Sequence, residues 1–329
     1  MSVTCLSKNI FSKNIDEQVL VEHYPKLLPT LLLDRTTKHN IVWATDDYKE
    51  VSSLHQSNAE ITVASITGKY SELIAPRIAK SRDLQVSRTK DKAEVFTPSW
   101  ICNEQNNLVD EAWFGRKDVF NHSKYKAWIS TTAKIEFSDK RSKNWMAYVD
   151  ERRMEITCGE APYLVSRYDA TTGAIIPLKQ RIGLLDRKLR VVKENTSNET
   201  DWLKWSKRAF ESIYGFEYQG DNLLLARENL LATYADYMSD SLNRKPTESE
   251  LLTIATIISW NIWQMDGLTG YPPYCDVPLS NIQLTLFDFM DGKTSASTPT
   301  PCQIKDWRAN KTNTFNDLLL QERSDETSR

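Results

Sequence analysis

Residues 154–164, Met154-Glu155-Ile156-Thr157-Cys158-Gly159-Glu160-Ala161-Pro162-Tyr163-Leu164, constrain the fold of this chain more than any other stretch. An apolar lead-in, an acidic residue and then Cys158-Gly159 ahead of an aromatic predict a strand that ends in a tight turn and opens a helix. That geometry holds nucleotide-like ligands. A single glycine turn more often only joins a strand to a helix, so its weight comes from a second segment upstream, Glu94-Val95-Phe96-Thr97-Pro98.

Together the two segments resemble motifs I and X of the N6-adenine DNA methyltransferases. Glu155 stands where the family has an acidic residue, Cys158-Gly159 where it has Cys-Gly or similar, and Tyr163-Leu164 where it has Phe-Leu. The order, motif X before motif I, is that of the class running motif X, cofactor domain, target recognition. The resemblance implies an α/β fold with a Rossmann-like methyltransferase core and S-adenosyl-L-methionine (AdoMet) at the carboxyl ends of the strands. It implies that Phe96, Thr97 and Pro98 lie near the methionine moiety. The turn formed by Glu155, Cys158, Gly159 and Tyr163 would bring backbone N–H groups to that moiety, glycine serving where a Cβ would block the approach. Ala161 replaces the family's second glycine, which narrows or reshapes the pocket.

Two later segments fit the same scheme. Arg181-Ile182-Gly183-Leu184-Leu185-Asp186 reads as a second strand, and an acidic residue at such a strand end accepts hydrogen bonds from ribose hydroxyls, which makes Asp186 a candidate. The plainer reading is a surface Asp opening the charged run Asp186-Arg187-Lys188. Residues 215–224 resemble motif III, an apolar strand closing on Gly220-Asp221; the resemblance implies that Asp221 accepts the cofactor's adenine amino group, with Asn222 beside it. Gly-Asp-Asn is also a strong turn former.

Methyl transfer to the exocyclic amine of adenine aligns a weak nucleophile with a methyl sulfonium, so catalysis is positioning plus acceptors for the amine hydrogens. The family supplies Asn/Asp/Ser-Pro-Pro-aromatic, and this chain has Tyr271-Pro272-Pro273-Tyr274. Tyr274 suits stacking on a flipped base. Tyr271 replaces the amide or carboxylate with a bulkier, poorer acceptor. Residues 249–265 read as a helix where the family has a short strand. The end of that run carries Asn261, Gln264 and Asp266 among two tryptophans, Trp260 and Trp263, either a base-recognition cluster or a half-buried helix with polar edges. Asn261, Asp266 and Tyr274 are the catalytic candidates.

A chain of 329 residues with 40% hydrophobic content supports about two domains and a substantial core. Lys and Arg number 42 against 44 Asp and Glu, a formal charge of -2, so no global basic field attracts nucleic acid. DNA contact must therefore use a local patch. Arg77, Lys80, Arg82, Arg88, Lys90 and Lys92 form one directly before motif X, and Arg181, Arg187, Lys188, Arg190 and Lys193 a second. Such runs are usually solvated faces. The five cysteines form no Cys-x-x-Cys pair and the four histidines show no ligand spacing, which predicts a reducing compartment and no metal. No signal-peptide core or membrane-spanning run is visible, and the cytoplasm is the expected location.

Along the chain, residues 1–75 read as an N-terminal accessory α/β region with a strand-like stretch at 40–44. Residues 76–150 carry the motif X segment and its connection, including an amphipathic helix over 98–113 and a strand over 133–137. Residues 151–291 form the AdoMet-binding domain, with helices over 201–214, opened by an Asn or Asp cap, and over 226–239. Residues 292–329 are a Ser/Thr/Pro linker, a short helix over 314–321 and a charged tail.

The resemblance spans roughly residues 77–275, and about fifty residues follow, fewer than the further strands and target-recognition region of a complete enzyme need. The chain therefore reads as minimal or truncated, with sequence recognition depending on a specificity or restriction subunit. The expected function is AdoMet-dependent methylation of adenine N6 in DNA, as a methyltransferase or the modification subunit of a restriction-modification system. The alternative is a catalytically impaired methyltransferase-like DNA-binding or assembly subunit of a defence complex; methylation of RNA or protein is a third, weaker reading.

Overall fold

The computed structural model of the chain describes residues 15–92, 94, 97–138, 140–275, 300–315 and 317. Phe96, the linker expected over 292–301 (up to residue 299) and most of the helix expected over 314–321 lie outside the described residues. The side chain of Lys92 does too.

The first helices are short: α1 (Glu17–His23), α2 (Leu27–Leu32) and α3 (Val63–Ile66). Side chains cap two of them, Asp16 accepting from Val19 N–H and Thr62 from Ser65 N–H. Helix α4 (Arg82–Lys92) leads to α5 (Ser99–Phe114), which ends at Gly115 with φ 71°, a left-handed cap that glycine adopts without penalty. A hairpin, β1 (Asn121–Lys124) and β2 (Ala127–Ser130), follows, then α6 (Trp145–Asp150).

A three-stranded parallel sheet comes next: β3 (Arg153–Glu155), β4 (Ile213–Glu217) and β5 (Ile262–Gln264), in the order β3-β4-β5. Helices α7 (Leu184–Asn195) and α8 (Glu199–Glu211) connect β3 to β4, and α9 (Gly220–Leu242) and α10 (Glu248–Asn261) connect β4 to β5. Asn198 caps α8, and Thr247 with Glu250 forms a capping box on α10. Helix α9 is buried on every side from Gly220 to Ala235, as the central helix of a core must be.

Every residue of β4 is buried, and its two faces meet different partners by the period-two rule. Ile213, with Ile262 of β5, joins the main apolar cluster, which takes in helices α2 and α7 to α10. Tyr214, Phe216 and Trp263 face the other way onto Cys302 and Ile304 of a C-terminal hairpin, β6 (Gln303–Asp306) and β7 (Lys311–Thr314). The architecture is mixed α/β around a small parallel sheet.

Residues 15–74 contribute Leu20, Leu27, Leu31, Trp43 and Ile61 to that same main cluster. Residues 40–43 run alongside their neighbours without forming a ladder, Ala44 turns away at φ 51°, and the Gln264 side chain accepts from Val42 N–H and donates to Val42 C=O, each at 2.8 Å. Gly220 is required beneath them, because a Cβ there would lie 2.1 Å from the Val42 carbonyl oxygen.

Several expectations change. Residues 181–186 are no strand: they turn into the start of α7. Residues 133–137 keep only part of their alternation, with Ile135 buried and Phe137 half-buried but Ala133 exposed, and pair with no strand; Ile135 N–H instead donates to Glu194. The helix expected over 249–265 stops at Asn261, and its last apolar residues become β5.

Candidate functional site

A cavity of about 520 Å³ opens at the carboxyl ends of β3 and β4. Its wall is built from Glu94 and Thr97 ahead of α5, the turn from Glu155 to Tyr163, the end of β4 with Glu217 and Tyr218, and Gln219 and Asn222 at the start of α9. Open α/β sheets place ligands at this end. A second hollow of about 560 Å³ lies between α6 and α8, against Arg141, Trp205 and Arg208. Those helices run into the amino ends of β3 and β4, and Arg208 is already paired with Asp150 and Glu211, so the first cavity is the better candidate.

The turn is held from both sides by carboxylates. Thr157, Gly159 and Ala161 all have positive φ, at 47°, 52° and 63°. Two of the three are not glycine, and a left-handed L-residue costs roughly 1–2 kcal/mol, so the neighbours must hold the turn in place. Glu217 accepts the Gly159 N–H at 2.8 Å and the Gln219 N–H at 3.1 Å. Glu155 accepts from Tyr163 N–H at 3.3 Å and Leu164 N–H at 3.1 Å. Burial raises both carboxyls above the usual range, Glu155 well above it, and their mutual repulsion adds to the effect on Glu155. Burial likewise pushes the Cys158 thiol up.

The expectation that this turn offers bare N–H groups to a ligand is therefore corrected. The N–H groups of Gly159, Tyr163 and Leu164 are taken by side chains, and the described wall carries Glu94, Glu155 and Glu217 with no Lys or Arg. Such a wall repels phosphate and favours a ligand with net positive charge. Asn222 adds an acceptor: its Nδ2 donates to Glu94 at 3.1 Å, while its buried Oδ1 has no hydrogen-bond partner.

Among the expected cofactor residues, Thr97, Glu155, Cys158, Gly159, Tyr163 and Asn222 line this cavity, and Pro98 caps α5 beside it. Two others do not. Asp186 is fully buried at the first turn of α7, where it accepts from Ser166 N–H at 2.8 Å and Gly183 N–H at 3.2 Å; it braces a helix start. Asp221 is saturated by the Tyr48 hydroxyl and Lys80, both at 2.8 Å, by Arg88 at 2.9 Å, and by its neighbour's N–H. Lys80 and Arg88 hold it well below the usual carboxylate range, and no lone pair remains for an adenine amine.

The basic patch dissolves for the same reason. Lys80 and Arg88 are buried partners of Asp221; Arg88 also pairs with Asp47 and Glu94 and donates to Gln219. Arg77 donates to Thr89 at 2.9 Å, and only Arg82 and Lys90 of the described set are exposed. In the second run Arg187 pairs with Asp110 at 2.5 Å and Lys188 is buried against Glu151 and Ser212.

Of the catalytic candidates, Asn261 is structural. Its Nδ2 donates to Phe210 and Ile213 carbonyls at the amino end of β4, away from the cavity, and its Oδ1 accepts from Trp307 Nε1. Asp266 lies just past β5 and accepts the Leu268 N–H at 2.8 Å. Tyr274 is 55% exposed, and the Tyr218 phenol on the cavity wall is pushed up by burial first and then by its neighbours Tyr274 and Asp266.

Sequence reasoning missed Glu217, Tyr218 and Gln219. The signal was the acidic residue ending the apolar run 213–216, hidden because the second strand was placed over 181–186.

No family model matches the chain, and no curated protein or solved structure matches it. Among the described residues no helix is long and apolar enough to cross a membrane.

Proposed function

We propose that this cavity binds AdoMet and that the chain is an AdoMet-dependent N6-adenine DNA methyltransferase, or the modification subunit of a restriction-modification system, built on a Rossmann-like core. The carrying observation is the convergence of Thr97, the turn from Glu155 to Tyr163, Glu217 and Asn222 on one acidic cavity at the strand ends. AdoMet carries a sulfonium and an ammonium against one carboxylate, so its charge suits a wall where Glu155 and Glu217 have no cationic partner among the described residues better than a nucleoside phosphate does. When bound, it supplies an electrophilic methyl group.

The residues divide the work. Glu217, the acid at the end of the strand after the glycine turn, takes the position from which such residues accept ribose hydroxyls, and replaces Asp186 in that role. Asn222 Oδ1 accepts a hydrogen bond from an amine or hydroxyl of the ligand. Glu155 supplies negative charge opposite the ammonium and sulfonium, while Glu94, paired with Arg88, holds the Asn222 amide. Tyr274 and Asp266, around Tyr218, are the groups that would meet a flipped adenine, one by stacking and the other by accepting an amine hydrogen.

Titration calorimetry with AdoMet tests the binding, and tritiated AdoMet with adenine-unmethylated DNA tests the transfer. Absence of AdoMet binding removes the whole reading. Binding without transfer, with and without the neighbouring gene products, favours the second reading, an impaired DNA-binding or assembly subunit, for which Tyr271 in place of an amide or carboxylate is the specific argument.

A further inference from the structure

The hairpin β1–β2 has a buried and an open face. Asn121 and Trp128 anchor it: Asn121 exchanges hydrogen bonds with Asn103 of α5, both at 2.8 Å, and Trp128 Nε1 donates to the Gln180 carbonyl at 2.8 Å. The other face presents the cross-strand pairs His122 with Ile129 and Lys124 with Ala127, all exposed, and the two-residue tip is Tyr125-Lys126. Tyr125 is 90% exposed and Ile129 59%. Lys124, Lys126 and the adjacent Lys179 form no ion pair among the described residues, while His122 pairs with Asp118.

Lysines alone would be ordinary protection of a strand edge against aggregation. A bare tyrosine and isoleucine beside them work against that purpose. Lys126 also sits at φ 52°, where glycine would be the cheaper residue, so the tip carries its cation at a backbone cost. The root lies near the cavity: Asn103 is four residues, about 6 Å, along α5 from its first residue Ser99, and Thr97, two residues before that helix, lines the wall.

We propose that residues 121–130 are a ribbon that enters the major groove of duplex DNA beside the cavity, with Lys124, Lys126 and Lys179 on phosphates and Tyr125 against the bases. A B-form major groove admits a two-stranded ribbon of this kind. The proposal rests on the methyltransferase reading for its choice of DNA, and its test is separable from it.

The test compares the wild-type chain with Lys124→Glu, Tyr125→Ala, Lys126→Glu combined, using fluorescence anisotropy with a labelled mixed-sequence DNA duplex over a salt series. The expected result is an affinity loss of about tenfold or more and a log–log salt slope reduced by about two, with AdoMet affinity changed less than about twofold. A hairpin effect on DNA in a protein that binds no AdoMet sinks the methyltransferase reading and leaves the ribbon standing. The ribbon is overturned by unchanged DNA affinity and slope, by no DNA binding in the wild type, or by a self-associated wild type that the substitutions dissociate without changing DNA affinity. It is equally overturned by equal affinity for an A-form RNA duplex, whose deep, narrow major groove excludes a ribbon.

Discussion

The Gly159 N–H donates to the Glu217 carboxylate at 2.8 Å, which ties the glycine turn after β3 to the end of β4 across the cavity wall. Glu217→Gln keeps one acceptor oxygen, enough for the Gly159 N–H but not for the Gln219 N–H as well, and removes a charge from the wall. It is expected to weaken AdoMet binding by about tenfold, the factor that ~1.4 kcal/mol of lost attraction produces, while the lost Gln219 bond costs about 1 kcal/mol of stability. Calorimetry giving equal affinities for the two proteins refutes the electrostatic reading of the site.

The same carboxyls predict how binding depends on pH. Glu155 and Glu217 are raised by burial, and a cationic ligand favours their ionised forms, so AdoMet affinity is expected to rise with pH from the usual carboxylate range up to their raised values. Binding then releases protons, which calorimetry in buffers of different ionisation enthalpy counts directly. A flat profile would exclude it.

Asp221 stabilises the fold. Asp221→Asn leaves Lys80 and Arg88 buried against a neutral group and is expected to cost about 3 kcal/mol in denaturant unfolding near neutral pH. Its folded-state pKa lies below the unfolded value, so its contribution is present above the usual carboxylate range and is lost as pH falls through the folded value. The gap between wild type and variant should close in strong acid; a gap that widens there contradicts the assignment.

Glu17 of α1 and Glu228 of α9 are buried and repel one another, with Glu228 making no hydrogen bond through either carboxyl oxygen. Burial, chiefly, pushes Glu17 up to about 8. A raised acid binds its proton more tightly in the folded state, so stability is expected to be fully present below the usual carboxylate range and to fall as pH climbs towards about 8. Glu17→Gln should flatten that fall, which unfolding midpoints at acid and mildly alkaline pH would reveal.

Gly220→Ala would normally gain stability inside a helix. Here the added Cβ meets the Val42 carbonyl oxygen at 2.1 Å, backbone that cannot rotate away, and a net loss of about 3 kcal/mol is expected in denaturant unfolding. A neutral outcome would mean that residues 40–44 are not seated on α9.

The turn after β3 was legible because strand, glycine and aromatic are consecutive in the chain, but the helix expected to open there is absent: residues 165–183 run as turns and loop with no α-helix until α7 begins at Leu184. Helices α5, α8, α9 and α10 were legible in place though not in length, since amphipathic spacing marks a helix and caps such as Asn198 and Asn243 decide its ends. Strand β5 was not, because Ile262–Gln264 continues the apolar run of α10 and only its register with β4 makes it a strand. The charge runs misled most. Arg88 and Asp221 are 133 residues apart, and no local pattern says that the basic run over residues 77–92 turns inward to meet that carboxylate.

Arg227 carries a wider consequence. From the middle of α9 its guanidinium donates to the carbonyls of Leu31 and Leu33 in the first part of the chain and of Ser259 and Ile262 near β5. Peeling away the amino-terminal segment would strand a cation in a dry interior, so that segment cannot loosen while the sheet stays intact. Proteases acting on the native protein should free neither part alone, and slow amide exchange in the two should be lost together.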